Sequence, residues 1–266
     1  MANAAILYDN LADAATVSAS SWIASAPPTM LQNPHVRRRW KGRNGASEYI
    51  LCDFGSEVSI DTVALFGCQG VLSDVQRNLS SAATTRIRLS NSDDTGVTGE
   101  IHDSGSAAGR ISDAYGALVY LLDAPVSARY LRIDLGQSSA DALLAGRLVA
   151  GVRHTFSINF NFDWQFGYAD LSRKSRSAGG QTFIERDDRY RIVTLTFGFL
   201  SEADRYSAVD DIDRLKGVSS DILLITDPDS ARLDRDSVWG LLQDLSPVTQ
   251  PFFDNYSKTY ALEERL

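Results

Sequence analysis

Between residues 154 and 166 the chain alternates strictly. Phe156, Ile158, Phe160, Phe162, Trp164 and Phe166 are apolar, and Ser157, Asn159, Asn161, Asp163 and Gln165 between them are polar. Successive side chains of a strand face opposite ways, so the pattern predicts one half-buried ribbon of about 12 residues, roughly twice the usual strand length. Six large apolar groups on one face need broad cover from a second sheet, a helix or another subunit.

Before residue 152 the pattern is shorter and broken by turn residues. Strands are expected at 49–54, 59–66, 84–90, 118–122 and 128–135, with a closing strand within 143–152. In 84–90, Thr85, Ile87 and Leu89 share one face, and Arg86 and Arg88 the other. Tyr130 and Ile133 break alternation in 128–135, which suggests a β-bulge. Strands at this spacing, with no long helical pattern between them, indicate an antiparallel sandwich.

After a predicted loop at 172–180, strands resume at 181–185 and 190–200. Ser201 then has the form of an N-cap, with Glu202 and Asp204 in the first turn. Ala203, Tyr206, Val209, Ile212 and Leu215 fall near helical spacing, and Gly217 suits the position after the last turn. A buried strand at 221–226, a helical turn around 238–242 and an extended tail over 252–266 complete the reading. The fold class expected is mainly β: a β-sandwich over 1–152, then a β-rich α+β assembly domain over 153–266 with one clear helix.

Composition narrows the function classes. The 266 residues include 26 Lys and Arg against 34 Asp and Glu, a net charge of −8. Residues 1–152 carry 12 basic and 15 acidic groups, and 153–266 carry 14 and 19. Neither part is a basic module, so no nucleic-acid partner is expected. No apolar run approaches the ~20 residues of a membrane span. The first 21 residues lack the charged and apolar regions of a secretory signal. Cys52 and Cys68 form no disulfide framework, and the expectation is a soluble protein made in a reducing compartment.

Candidate chemistry is sparse. His35, His102 and His154 lie in unrelated contexts, and HExxH, GxSxG and phosphate-binding glycine loops are absent. No catalytic residue, metal or cofactor is expected. The run 37–43 is the one basic stretch with an aromatic inside it. Arg37, Arg39, Trp40, Lys41 and Arg43 are candidate contacts for a glycan or an anionic partner, with Trp40 stacking and the cations gripping. The same run also reads as a loop that packs Trp40 and pairs its charges locally. Arg173 and Arg176, in the predicted loop, read either as mobile or as ordered against a partner subunit.

The segments Asn10-Leu-Ala-Asp-Ala-Ala-Thr-Val-Ser-Ala-Ser20, Tyr49-Ile-Leu-Cys-Asp-Phe-Gly55, Thr85-Arg-Ile-Arg-Leu-Ser90 and Ala128-Arg-Tyr-Leu-Arg-Ile-Asp134, with Trp40, carry a resemblance. Through them the first 152 residues resemble the discoidin, or coagulation-factor C-type, group of galactose-binding-like sandwiches. The cysteine pair that ties the ends of secreted members is missing. In domain order and texture the whole chain, with its Ile222-Leu-Leu-Ile-Thr-Asp-Pro-Asp229 region, is similar to minor tail or distal tail proteins of long-tailed bacteriophages.

That likeness implies a non-enzymatic virion component, synthesised in the host cytoplasm. It would form a ring homo-oligomer, such as a hexamer, that joins tail tube to tip complex and contacts other tail proteins. Phe156, Ile158, Phe160, Phe162, Trp164, Phe166, Arg173 and Arg176 are then the candidate subunit interface, with strands near 154–166 and 190–200 pairing between copies. The alternative is a carbohydrate-binding adhesin that recognises a host surface polysaccharide through 37–43. A depolymerase would need two carboxylates facing each other in a cleft.

Overall fold

The computed structural model describes residues 2–266. It is mainly β, 48% strand and 10% helix. The chain forms two compact units. One holds residues 9–154 and 230–237; the other holds residues 2–8, 155–229 and 238–266. The change of unit at 154–155 lies beside the expected boundary, but the division is not linear in sequence. The strand Ala5–Leu7 pairs with Ile222–Ile225 of the second unit, and residues 230–237 lie with the first. Ala5, Ile6 and Leu7 are fully buried, so their apolar run finds its cover more than two hundred residues away.

The first unit is a sandwich. Its larger sheet runs Leu148–Gly151, Glu48–Leu65, Leu118–Gly136, Thr84–Ser90, His102–Asp103, with Thr16–Ala19 and Ala107–Ala108 added at the sides. The smaller runs Trp40–Lys41, Ala142–Ala145, Gln69–Leu72, Val75–Asn78. Ile50, Cys52, Ile87, Leu89, Leu131 and Ile133 of the larger sheet share one core with Trp40, Leu143 and Ala145 of the smaller. Each such side chain contributes roughly 1.5–3 kcal/mol by burial.

The expected strands 49–54 and 59–66 are one long strand that turns through Gly55, whose φ is +79°. Its partner is likewise one strand, Leu118–Gly136, and the register shifts between Ala128 and Tyr130, where alternation fails in the sequence. The single closing strand expected at 143–152 is instead two strands, one in each sheet. Gly146 carries the chain between them, where a Cβ would lie 2.4 Å from the Val36 carbonyl oxygen.

The second unit is one sheet with a helix on its face. The sheet includes, in order, Ala5–Leu7, Ile222–Ile225, Ser237–Leu242, Asn255–Glu264, Arg189–Leu200 and Gln165–Asp170. Val193, Leu195, Phe197, Tyr260 and Leu262 meet Ala208, Val209 and Ile212 of the helix in its core. Ser201 caps the helix by accepting the Asp204 N–H (3.1 Å). The winding is π over Arg205–Val209 and Ile212–Lys216, which rotates the buried face away from a 3.6-residue stripe. Tyr206 and Leu215, expected inside, are therefore exposed. Residues 238–242 belong to a buried strand rather than a helical turn; the turn lies earlier, at Leu233–Asp236.

The ribbon expected over 155–166 does not form. Regular pairing stops at Thr155 and resumes at Gln165. Polar side chains between the aromatics capture backbone groups that a strand would have paired. Asn159 Oδ1 accepts N–H groups from Ala4 (3.1 Å) and Phe160 (3.0 Å), and the Ser157 hydroxyl binds Asp204. The strand Arg189–Leu200 lies between two neighbours within its own chain, so it is not free to pair between copies.

Candidate functional site

The outward face of the larger sandwich sheet carries charge where a sheet facing water carries mixed polar groups. Arg86 and Arg88 on Thr84–Ser90 lie opposite Asp134 and Arg132 on the next strand. Arg86 grips Asp103 with two bonds, Nε to Oδ1 at 2.9 Å and Nη2 to Oδ2 at 2.5 Å. Asp134 accepts from Arg88 Nη2 (2.5 Å) and Arg132 Nε (2.9 Å). The Arg132 guanidinium stacks 3.7 Å above the Tyr49 ring. Fork-shaped, charge-assisted bonds of this kind hold their side chains in fixed geometry.

These groups frame a cleft of about 230 Å³, lined by Ser47, Thr84, Arg86, Arg88, Ser106 and Asp134 among others. Arg88 is buried, and among the described residues its Nε has no hydrogen-bond partner. The cleft therefore offers hydroxyls, guanidinium donors and a carboxylate in a confined space. Those are the groups that recognise a polyhydroxylated ligand.

The loop over residues 91–101 covers part of this face, and its carboxylates fold it. Val97 and Thr95 carbonyls accept from Arg88 and Arg132. The Thr95 hydroxyl, with the Thr98 N–H, holds Asp93 well below the usual carboxylate range. Backbone N–H groups of Ser92 and Asn91 lower Glu100, and the Arg86 side chain lowers Asp103.

The predicted contacts at 37–43 do not form one patch. Trp40 is fully buried, and its Nε1–H donates to the Ser21 carbonyl (2.9 Å), so it cannot stack on a ligand. Arg37 is exposed, whereas Arg39 is half-buried beside Gly67; burial, then the Arg37 charge, lowers its pKa. Lys41 is half-buried in the strand with Trp40. Arg43 is exposed, and its Nε–H donates to the Trp22 carbonyl (2.9 Å). Trp22 itself is 45% exposed and is the aromatic available here. The loop from Arg43 reaches the cleft at Ala46 and Ser47. Buried Glu48 fixes its shape by accepting from the Ser20 and Ser21 hydroxyls and the Asn44 N–H.

The predicted interface residues separate in a different way. Phe156 is buried, with its ring 4.0 Å from that of Phe197. Phe160 packs edge-on against Phe197 and Trp164. Ile158, Phe162, Trp164 and Phe166 are exposed, and Tyr168, which the pattern did not include, joins Phe166 edge-on at 5.4 Å. Arg173 and Arg176 lie on a strand, not in a loop. Arg173–Arg176 pairs with Thr182–Glu185 as a two-stranded hairpin.

Cys52 and Cys68 are free, buried core residues, and burial pushes both thiols up to about 12. Among the described residues no group of three or more His, Cys, Asp or Glu could hold a metal ion, and no helix is long and apolar enough to cross a membrane.

No family model and no curated protein matches the chain. Solved structures with some likeness include carbohydrate-binding modules and a fucosidase. A Ruminococcus gnavus GH29 fucosidase in complex with fucose is 17% identical at a TM-score of 0.42, covering 55% of this chain and 27% of its own. A chitosan-binding module of a Paenibacillus sp. IK-5 chitosanase/glucanase has the same identity and score, covering 55% and 100%. A Streptococcus pneumoniae fucose-binding module is 13% identical at 0.40, covering 54% and 95%.

Proposed function

We propose that the chain is a non-catalytic carbohydrate-binding protein whose sandwich recognises a surface polysaccharide. The cleft at Arg86, Arg88 and Asp134 carries this reading. It holds pre-positioned donors and acceptors in a volume below that of drug-sized pockets, suited to a single sugar residue. Trp22, on a segment tied to the cleft loop by Arg43, supplies an apolar platform for a neighbouring sugar face. Asp134 has its oxygens taken by two arginines, which suits holding a hydroxyl better than transferring a proton.

A glycan array probed with the full chain tests the reading. Wild type binds a defined set of glycans. Trp22→Ala and Ser106→Trp, both at exposed positions, each weaken that binding at least about tenfold, roughly 1.4 kcal/mol, with unchanged circular dichroism. An array without specific binding, or binding indifferent to both variants, contradicts it.

A second reading concerns the other unit and is compatible with the first. Phe162, Trp164, Phe166 and Tyr168 are exposed on and before Gln165–Asp170, the last strand of its sheet. An open edge with aromatic side chains favours association. This supports self-association, and the reading that rests on it is a structural component of a bacteriophage tail tip, assembled as a ring. Negative-stain images of the purified protein then show rings, and a monomer by mass contradicts the reading.

A further inference from the structure

The hairpin formed by Arg173–Arg176 and Thr182–Glu185 is exposed at all eight strand positions. Phe183 and Ile184 are 55% and 56% exposed. An isolated two-stranded hairpin is marginally stable in water and needs a surface against which to bury its apolar residues. Its charge indicates which surface. Residues 172–186 hold four basic side chains and one acidic, a net +3. The rest of the same unit holds seven basic and sixteen acidic, a net −9.

Resting on the assembly reading above, we propose that this hairpin is an arm that docks on the helix face of a second copy of the chain. The outer face of that helix presents what the arm lacks. Tyr206 is 62% exposed and Leu215 is also exposed, giving Ile184 an apolar seat. Exposed Glu202 and Asp210 offer carboxylates to Lys174 and Arg176, which share one face of the hairpin with Ile184. Arg214 shares Asp210 at 3.5 Å, a loose pair that the arm can replace. Arm and helix are different surfaces, so the contact is head-to-tail and propagates until rotation closes it into a ring. Opposite charge sets the register and partner choice, and apolar burial adds affinity.

Sedimentation velocity on the full chain separates the outcomes. The double variant Lys174→Glu/Arg176→Glu loses association by about tenfold or more, and so does Glu202→Arg/Asp210→Arg. Mixing the two variants restores it, because each then meets an opposite charge. The substituted residues are at the surface, and unchanged melting temperatures confirm intact folds. A wild type that stays monomeric at micromolar concentration overturns the assembly reading and the arm with it. A wild type that assembles as well with either double variant, or variants that do not recover on mixing, overturn the arm alone.

Discussion

At residue scale the two tryptophans near the basic run take opposite roles. Trp40, inside Arg37–Arg43, reads from sequence either as a stacking contact or as a packed aromatic; it is the packed one, filling the core and hydrogen-bonding Ser21. Trp22, in a run of small residues with no charge beside it, is the one that meets solvent. Side-chain type cannot tell these apart, because burial depends on which strand lies opposite. Glu48 is similar: nothing local marks it as buried, and its three donors come from two separated segments. Glu48→Ala strands those donors and costs roughly 2–4 kcal/mol, read as a lower denaturant midpoint. A midpoint within error of wild type contradicts the role given to Glu48. Gly45→Ala probes the same loop, since its Cβ would fall 1.5 Å from the Ala140 carbonyl oxygen.

At element scale, alternation located strands well where the polar positions carry no competing hydrogen bonds. In Arg189–Leu200 the inward positions Arg191, Val193, Leu195 and Phe197 are buried in turn, and buried Arg191 is paired with Glu264. The stretch 156–166 has a cleaner pattern, but the Asn159 side chain bonds the backbone and breaks the strand. The helix was legible from its cap to Gly217; its π winding was not, because hydrophobic spacing assumes 3.6 residues per turn.

The loop over 91–103 yields a pH dependence. Asp93, Glu100 and Asp103 have folded pKa values below their ordinary ones of 3.8, 4.5 and 3.8. A carboxylate lowered by folding stabilises the fold above its unfolded pKa and loses that contribution as pH falls through the folded value. The loop therefore holds fully above about pH 4.5 and loosens progressively in stronger acid. Amide shifts of Thr98 and Ser92, followed by NMR, report Asp93 and Glu100 and titrate with midpoints below 3.8 and below 4.5 respectively; midpoints at or above these ordinary values contradict the prediction.

At the scale of the whole molecule, the sandwich was legible because its strands are local and turn-bounded. The cleft was not. Its lining comes from 46–47, 84–88, 106 and 134–136, which only the register of the long strands brings together. The same non-local logic places residues 2–8 in the second unit and 230–237 in the first. Charge is also uneven. The second unit carries most of the net −8, although its hairpin is basic, and an average over the chain hides both facts. The proposed binding site and the proposed assembly surface thus fall on different units, so a variant in one is expected to leave the other function unchanged.

In the proposed function the sandwich grips a sugar in the Arg86–Arg88–Asp134 cleft. Hydrogen exchange of the full chain, with and without a glycan that it binds, tests this most directly. Slowed exchange confined to the cleft segments 44–47, 84–88, 106 and 134–136 and to the segment around Trp22 is the expected footprint. Protection that falls elsewhere on the chain, with the cleft segments unchanged, contradicts a sugar held there.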